Sequence, residues 1–371
     1  MSRAARRLGL VAVALVAASA IGAAAGPWRA SRHGAPERAV AVTADRTTSD
    51  ARRFLEAYLA ADGRVVRHDQ GGDTVSEGQA YALLVSVGVG DRATFDRVWA
   101  WTTVNLQRPD GLLAWRWADG AVVDPEPAAD ADLDAAWALA LAARRWPRGG
   151  YEDAARTIAD GVAAHETAQL SDGTSVLAAG PWAIRSAADG RPVVVNPSYA
   201  SPVAESVLAA DGLADPTLGA ARRAGARRVV AALLEDRGVP TDWARVSQDG
   251  TTDPADSPTE AGGGRFGWDA VRVPLRFAPS CDPADRSLAA QLWPAFQAGA
   301  GVEAMRDHPA RLVGAAAAAA ADAPERAQAL LDEASESDTA RSTYYGSALT
   351  ALGRLLLGTD RLGGCPPLAR R

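Results

Sequence analysis

The 371-residue chain contains no lysine: its basic charge is carried entirely by arginine, within a combined Lys and Arg count of 39. With 45 acidic residues the formal net charge is −6, so no broad basic surface is available for nucleic acid, and a polyanionic partner is disfavoured. Histidine is scarce. The four residues, His33, His68, His165 and His308, show no metal-ligand spacing, and no metal or cofactor is expected. There is no Gly-x-Ser-x-Gly elbow. Gly262 to Gly267 formally fits a dinucleotide fingerprint, but no strand precedes it and no βαβ unit surrounds it. After the N-terminal segment no apolar run is long enough to span a membrane. Only two cysteines are present, Cys281 and Cys365. In an exported protein they can form one disulfide, which is the expectation here, the alternative being two unpaired thiols.

What the chain does carry begins at the N-terminus. Arg3, Arg6 and Arg7 precede an uncharged apolar run from Leu8 to Ala25, ending in small residues at Ala23 to Ala25. Residues 1–25 therefore read as a signal peptide, with an uncleaved membrane anchor as the alternative, and the protein is expected to be secreted. Residues 26–48 are polar, Pro/Arg-rich and aperiodic, as in a flexible tether. From residue 49 helical spacing dominates. Phe95, Val98, Trp99, Thr102 and Leu106 follow it, as do Leu133, Ala136, Trp137, Ala140 and Leu141. So do Tyr151 to Val162 and Tyr345 to Leu356. Roughly a dozen helices are expected over 49–358, with a C-terminal tail at 359–371. Strand alternation is scarce, Pro192 to Val195 being the best short candidate. The alanine run 315–321 reads as a helix interior, and Asp249 to Gly264 as a long surface loop beside a site. The helices admit a solenoid or a closed ring of six hairpins; the absence of a fixed repeat favours the ring.

Eleven tryptophans, more than Tyr or Phe, fit a carbohydrate cleft, although any single one can equally be a core residue. Three acidic segments stand out. In Ser76-Glu77-Gly78-Gln79-Ala80-Tyr81, Ser76 and Gln79 form a capping-box pattern that places Glu77 in the first turn of a helix. Read alone, Glu77 is best explained as a complement to the helix dipole. In Ala128 to Asp134, Asp130 has the position of an N-cap and Asp132 that of a first-turn acid. In Trp268-Asp269-Ala270-Val271-Arg272-Val273-Pro274, Asp269 and Arg272 admit a structural ion pair.

Taken together and in this order, these segments resemble glycoside hydrolase family 8. The matching stretches are Ser76 to Tyr81, Ala128 to Trp146, Asn196-Pro197-Ser198-Tyr199, Val239 to Trp243 and Trp268 to Pro274; Ala80, Ala82 and Ala129 depart from the usual residues. The resemblance implies an all-α (α/α) six-hairpin toroid that hydrolyses β-1,4-glucan with inversion. Glu77 would be the general acid, Asp269 the general base and Asp130 the acid that holds the sugar at the cleavage point. Tyr199 would sit near the attacking water and Arg272 beside Asp269, while Tyr81, Trp268 and one of Trp115 or Trp117 would contact substrate. For this role Glu77 must hold a proton against the helix dipole. Chitosan, xylan and mixed-linkage glucan are alternative substrates; a non-catalytic glycan-binding component is the alternative from another class. The partner expected is a β-1,4-linked poly- or oligosaccharide, bound by a monomer.

Overall fold

The computed structural model describes residues 36–369 except 148, 188–189, 258–263 and 302–304; of 36–45 it gives the backbone alone. The proposed signal segment, 1–25, lies outside the described residues, as does the tether up to residue 35. The chain divides into two units at residues 40 and 41. The second is an α/α toroid whose helices pair as outer and inner members of hairpins.

Outer helices are α1 (Pro36–Tyr58), α3 (Arg92–Asn105), α5 (Tyr151–His165), α8 (Pro216–Arg237), α10 (Pro283–Ala290) and α13 (Pro324–Ala340). Inner helices are α2 (Ser76–Val89), α4 (Ala129–Arg145), α7 (Pro202–Ala210), α9 (Val273–Phe277), α12 (Pro309–Ala319) and α14 (Tyr344–Gly358). Consecutive inner helices pack on one another, and α14 returns to α2, closing the ring. Two short helices, α6 (Pro181–Ser186) and α11 (Trp293–Gln297), lie in connections.

Sequence decides which ring a helix joins. In α3 the buried residues Thr94, Phe95, Val98, Trp101 and Thr102 form one stripe, as suits a helix with a solvent face. In α2 twelve of fourteen residues are buried, so the helix is surrounded by protein and its composition is apolar and small throughout. Small residues let inner backbones approach: a Cβ added at Gly314 of α12 would lie 2.2 Å from the Val271 carbonyl oxygen. The alanine run belongs to this ring, helical and buried to Ala319, with Ala320 and Ala321 in the following turn.

Residues 36–48 are helical, not a tether. Thr47, Asp50, Ala51, Phe54 and Tyr58 of α1 make a buried stripe at helical spacing. Its first members are polar, which hid the periodicity: Asp50 is buried because Arg354 of α14 lies 3.0 Å from its Oδ2. Residues 359–369 are likewise no free tail. Leu362 is buried and its carbonyl accepts a hydrogen bond from the Trp137 indole at 3.0 Å. Cys365 forms a disulfide with Cys281, their Cα atoms 4.9 Å apart.

Strands are more numerous than the sequence implied. β1 (Thr74–Val75), β2 (Arg116–Ala118) and β3 (Ala121–Asp124) form one antiparallel sheet. Asp119 and Gly120, both at positive φ, turn β2 into β3, the Asp-Gly hairpin signal. β4 (Thr167–Gln169) pairs with β5 (Ser175–Leu177). β6 (Val193–Val195), β7 (Trp243–Val246) and β8 (Thr252–Ala255) form a third sheet, with Val194 opposite Arg245. The expected loop from Asp249 to Gly264 is therefore partly strand. Among the described residues no helix is long and apolar enough to cross a membrane.

Candidate active site

The acidic residues singled out in the sequence meet at one end of the ring, because each sits at or just before the N-terminus of an inner helix. Glu77 is in the first turn of α2 and Asp130 in the first turn of α4. Asp269 and Arg272 lead into α9, Tyr199 shortly precedes α7, His308 caps α12, and Tyr344 and Tyr345 open α14. Six positive dipole ends converge here, an environment that favours carboxylates.

At the centre is Arg272, with a side chain only 1% exposed. Its Nη1 lies 2.6 Å from Glu77 Oε2 and 3.3 Å from Asp130 Oδ2; its Nη2 lies 3.1 Å from Asp269 Oδ1. Nη1 also donates to the Tyr81 hydroxyl at 2.6 Å and Nη2 to Ser198 Oγ at 2.8 Å. One buried cation thus faces three carboxyl groups, which cannot all be ionised cheaply. Burial pushes Asp130 up to about 7 against the pull of Arg272, with Glu77 adding to the rise. Burial likewise raises Asp269 to about 6; Arg272 opposes this, and Asp242 adds to it. Asp130 and Asp269 therefore hold their protons to higher pH than ordinary carboxylates do.

The two catalytic candidates are held differently. Glu77 Oε1 accepts from the Tyr344 hydroxyl at 2.9 Å, and Tyr344, pushed well above the ordinary tyrosine range by burial and Glu77, keeps its proton. Asp269 Oδ2 accepts from Asn196 Nδ2 at 2.9 Å. The loop carrying Asp269 is organised by Asp242, whose Oδ1 accepts from the backbone N–H groups of Gly267, Asp269 and Ala270 at 3.0, 3.0 and 2.8 Å. Gly267 is required there, since a Cβ would fall 2.2 Å from Asp242 Oδ2.

A cleft of about 490 Å³ opens over this cluster, with Glu77, Asp269, Trp268, His308, Tyr344 and Tyr345 among its walls. Trp268 is 37% exposed in it. Trp115 and Trp117 are half-buried and outside these walls; Trp117 sits edge-on to Trp101 and under the Arg64 guanidinium, 4.8 Å from its ring centre. Tyr81 and Arg272 are buried, and Arg272 is in contact with the carboxyl cluster and with the Tyr81 hydroxyl. Tyr199 lies beneath the same cluster, its ring centre 5.8 Å from the Arg272 guanidinium.

Two local expectations are corrected. The capping box does not form: Val75 occupies the cap position without a side-chain hydrogen bond, and the Ser76 hydroxyl is buried without a partner. Gln79 instead accepts from the Val65 N–H at 2.6 Å and donates to Thr102 Oγ1 at 2.8 Å, bracing α2 against α3. Asp130 is not an N-cap either, since α4 begins one residue before it; its Oδ1 accepts from the Ala131 N–H at 2.9 Å.

Comparison with known proteins agrees with this fold. Residues 37–359 match the family model described as glycosyl hydrolases family 8. The chain is 35% identical over 234 residues to a probable endoglucanase of Novacetimonas hansenii, covering 60% of this chain and 64% of that protein. It is 30% identical over 236 residues to an endoglucanase of Cellulomonas uda, covering 60% and 61%. The alignments thus span about three fifths of these relatives. Among solved structures, the endo-beta-1,4-glucanase of Acetobacter xylinum superposes with a TM-score of 0.67 at 27% identity, over 84% of this chain and 98% of that one. The beta-1,3-1,4-glucanase of Paenibacillus sp. X4 shares the fold with a TM-score of 0.72 at 18% identity, over 85% and 91%. With the family model covering most of its length and the carboxyl cluster in place, the chain belongs to glycosyl hydrolases family 8.

Proposed function

We propose that this chain is an exported endo-β-1,4-glucanase acting with inversion of configuration. The observation that carries the reading is the pair of carboxyl groups, Glu77 and Asp269, set on either arm of one buried guanidinium at a cleft wall that also presents Trp268. In the reaction, Glu77 gives its proton to the glycosidic oxygen as the bond breaks. Asp269 takes a proton from a water that attacks the anomeric carbon from the opposite face. Asn196 and Arg272 hold the two oxygens of Asp269 and so aim its lone pair. Arg272 exchanges between carboxylates as protons move, which keeps the buried charge compensated through the cycle. Asp130, titrating near neutrality, is suited to accept or donate a hydrogen bond to a sugar hydroxyl at the cleavage point.

The related proteins named above support a glucan substrate, and the N-terminal apolar run supports export. Incubation with cello-oligosaccharides, mixed-linkage glucan, xylan and chitosan should release reducing sugar from the first most rapidly. NMR in the first minutes should show the α anomer at the new reducing end; initial β anomer would remove Asp269 from its role as base. Mass spectrometry of protein recovered from culture medium should place its N-terminus near Gly26.

A further inference from the structure

α12 is capped by a histidine, although Ser, Thr, Asp and Asn are the usual residues there. His308 Nδ1 accepts from the Ala310 N–H at 3.2 Å, so that nitrogen carries no proton. The neutral ring then has its proton on Nε2, which faces Thr343 Oγ1 at 3.0 Å. The same Thr343 oxygen accepts from the Gly346 N–H at 3.1 Å and caps α14. One imidazole therefore ties together the heads of two neighbouring inner helices. Trp268 rests on it edge-on, with ring centres 4.9 Å apart and planes at 86°. The Trp268 carbonyl is held from the other side by the Tyr345 hydroxyl at 2.7 Å. Burial, aided by Arg341, lowers His308 to about 4, so the ring stays neutral and the tautomer fixed in ordinary working conditions.

We infer that His308 is a positioning residue that fixes the plane of Trp268, the ring on which a pyranose of the substrate stacks next to Asp269. It sets how firmly substrate is gripped; it takes no part in proton transfer. The inference rests on the glycan reading of the cleft, and its test separates the two. In protein labelled with 5-fluorotryptophan, Trp268→Phe assigns the Trp268 resonance by fluorine NMR. His308→Asn keeps an acceptor for the Ala310 N–H but has neither the ring nor the reach to Thr343, so that resonance should shift and broaden. With cellopentaose, KM should rise about tenfold while kcat stays within about twofold. In the background of Trp268→Ala, adding His308→Asn should raise KM no further, because the two act through one contact. An unmoved resonance, a fall in kcat at unchanged KM, or additive effects in the double variant would overturn the inference. If His308→Asn does not fold, His308→Gln, which keeps an amide donor toward Thr343 without the ring, takes its place in every measurement. Failure of the wild-type protein to cut any cello-oligosaccharide would defeat the glycan reading, while the resonance would still decide whether His308 holds Trp268.

Discussion

Two buried arginines in this molecule do opposite things. Arg222 of α8 forms a two-pronged pair with Glu205 of α7, both bonds 2.7 Å and both side chains 4% exposed. Charge balances one to one, and Thr167 Oγ1 takes a further donor at 3.0 Å. Arg272 is as deeply buried but faces Glu77, Asp130 and Asp269 at once. A balanced pair has nothing to gain from a proton and works as a staple between helices. In the unbalanced group Asp130 and Asp269 are raised toward neutral pH, and that is what acid–base chemistry needs.

The comparison can be broken at its active end first. Glu77→Gln and Asp269→Asn should each lower kcat by about 10³-fold or more, with the helical circular dichroism unchanged. Turnover within tenfold of wild type in either variant would reassign the site. At the other end, Arg222→Met should cost about 3–5 kcal/mol of stability by stranding Glu205, read by denaturant unfolding, with kcat unchanged in the folded protein. Arg222→Met with Glu205→Leu should recover most of that loss; a double variant no better than the single would mean the staple is more than a charge pair.

A third buried group has no cation paired with it among the described residues. Asp132 and Glu166 are both fully buried and interact electrostatically, and burial raises both well above the carboxylate range. Asp132 Oδ1 is further tied to the Leu113 N–H at 2.7 Å. Since both folded pKa values lie above the unfolded ones, the pair keeps its stability at acid pH and loses it as pH rises through the folded values. Asp132→Asn, which cannot ionise, should flatten that loss in melting temperatures taken across pH; an identical profile in the variant would show that the pair does not govern it. The smallest effect expected is at Asp269, the proposed base. Activity should fall below about pH 6 as Asp269 takes up its proton. The Asn196 hydrogen bond lowers that pKa, so Asn196→Ala should move the acid limb of kcat/KM upward; a limb that stays put would exclude the bond from tuning Asp269.

Much of this was legible in the chain. The helical stripes of α3, α4, α5 and α14 fall where the spacing puts them, and Glu77 is in a first turn. What escaped sequence reading depends on partners far away in the chain. Ser76 and Gln79 have the residue types of a capping box, but Gln79 is drawn to the Val65 N–H and to Thr102 on α3. Tyr81 follows Glu77 by one helical turn and looks like a cleft aromatic until the ring closes over it. Tyr344 carried no signal beyond a pair of tyrosines after a capping Thr343, although it holds Glu77 from 267 positions away. Asp242 stood in a segment that resembled the family, without a role until its three backbone donors were seen. The Asp119-Gly120 turn was a readable hairpin signal in an otherwise helical pattern.

Delivering every reacting side chain from the head of a different inner helix has a kinetic consequence. Most of the site's central contacts are remote in sequence: Arg272 is three residues from Asp269 but reaches Glu77 across 195 positions and Asp130 across the span between α4 and α9. High contact order makes assembly slow, since the chain ordering must be completed before these contacts exist. Turnover should therefore be the last native property to return on refolding and the first to vanish on local opening of α14 from α2, while most of the helical signal persists. The enzyme's activity reports whether the circle is shut.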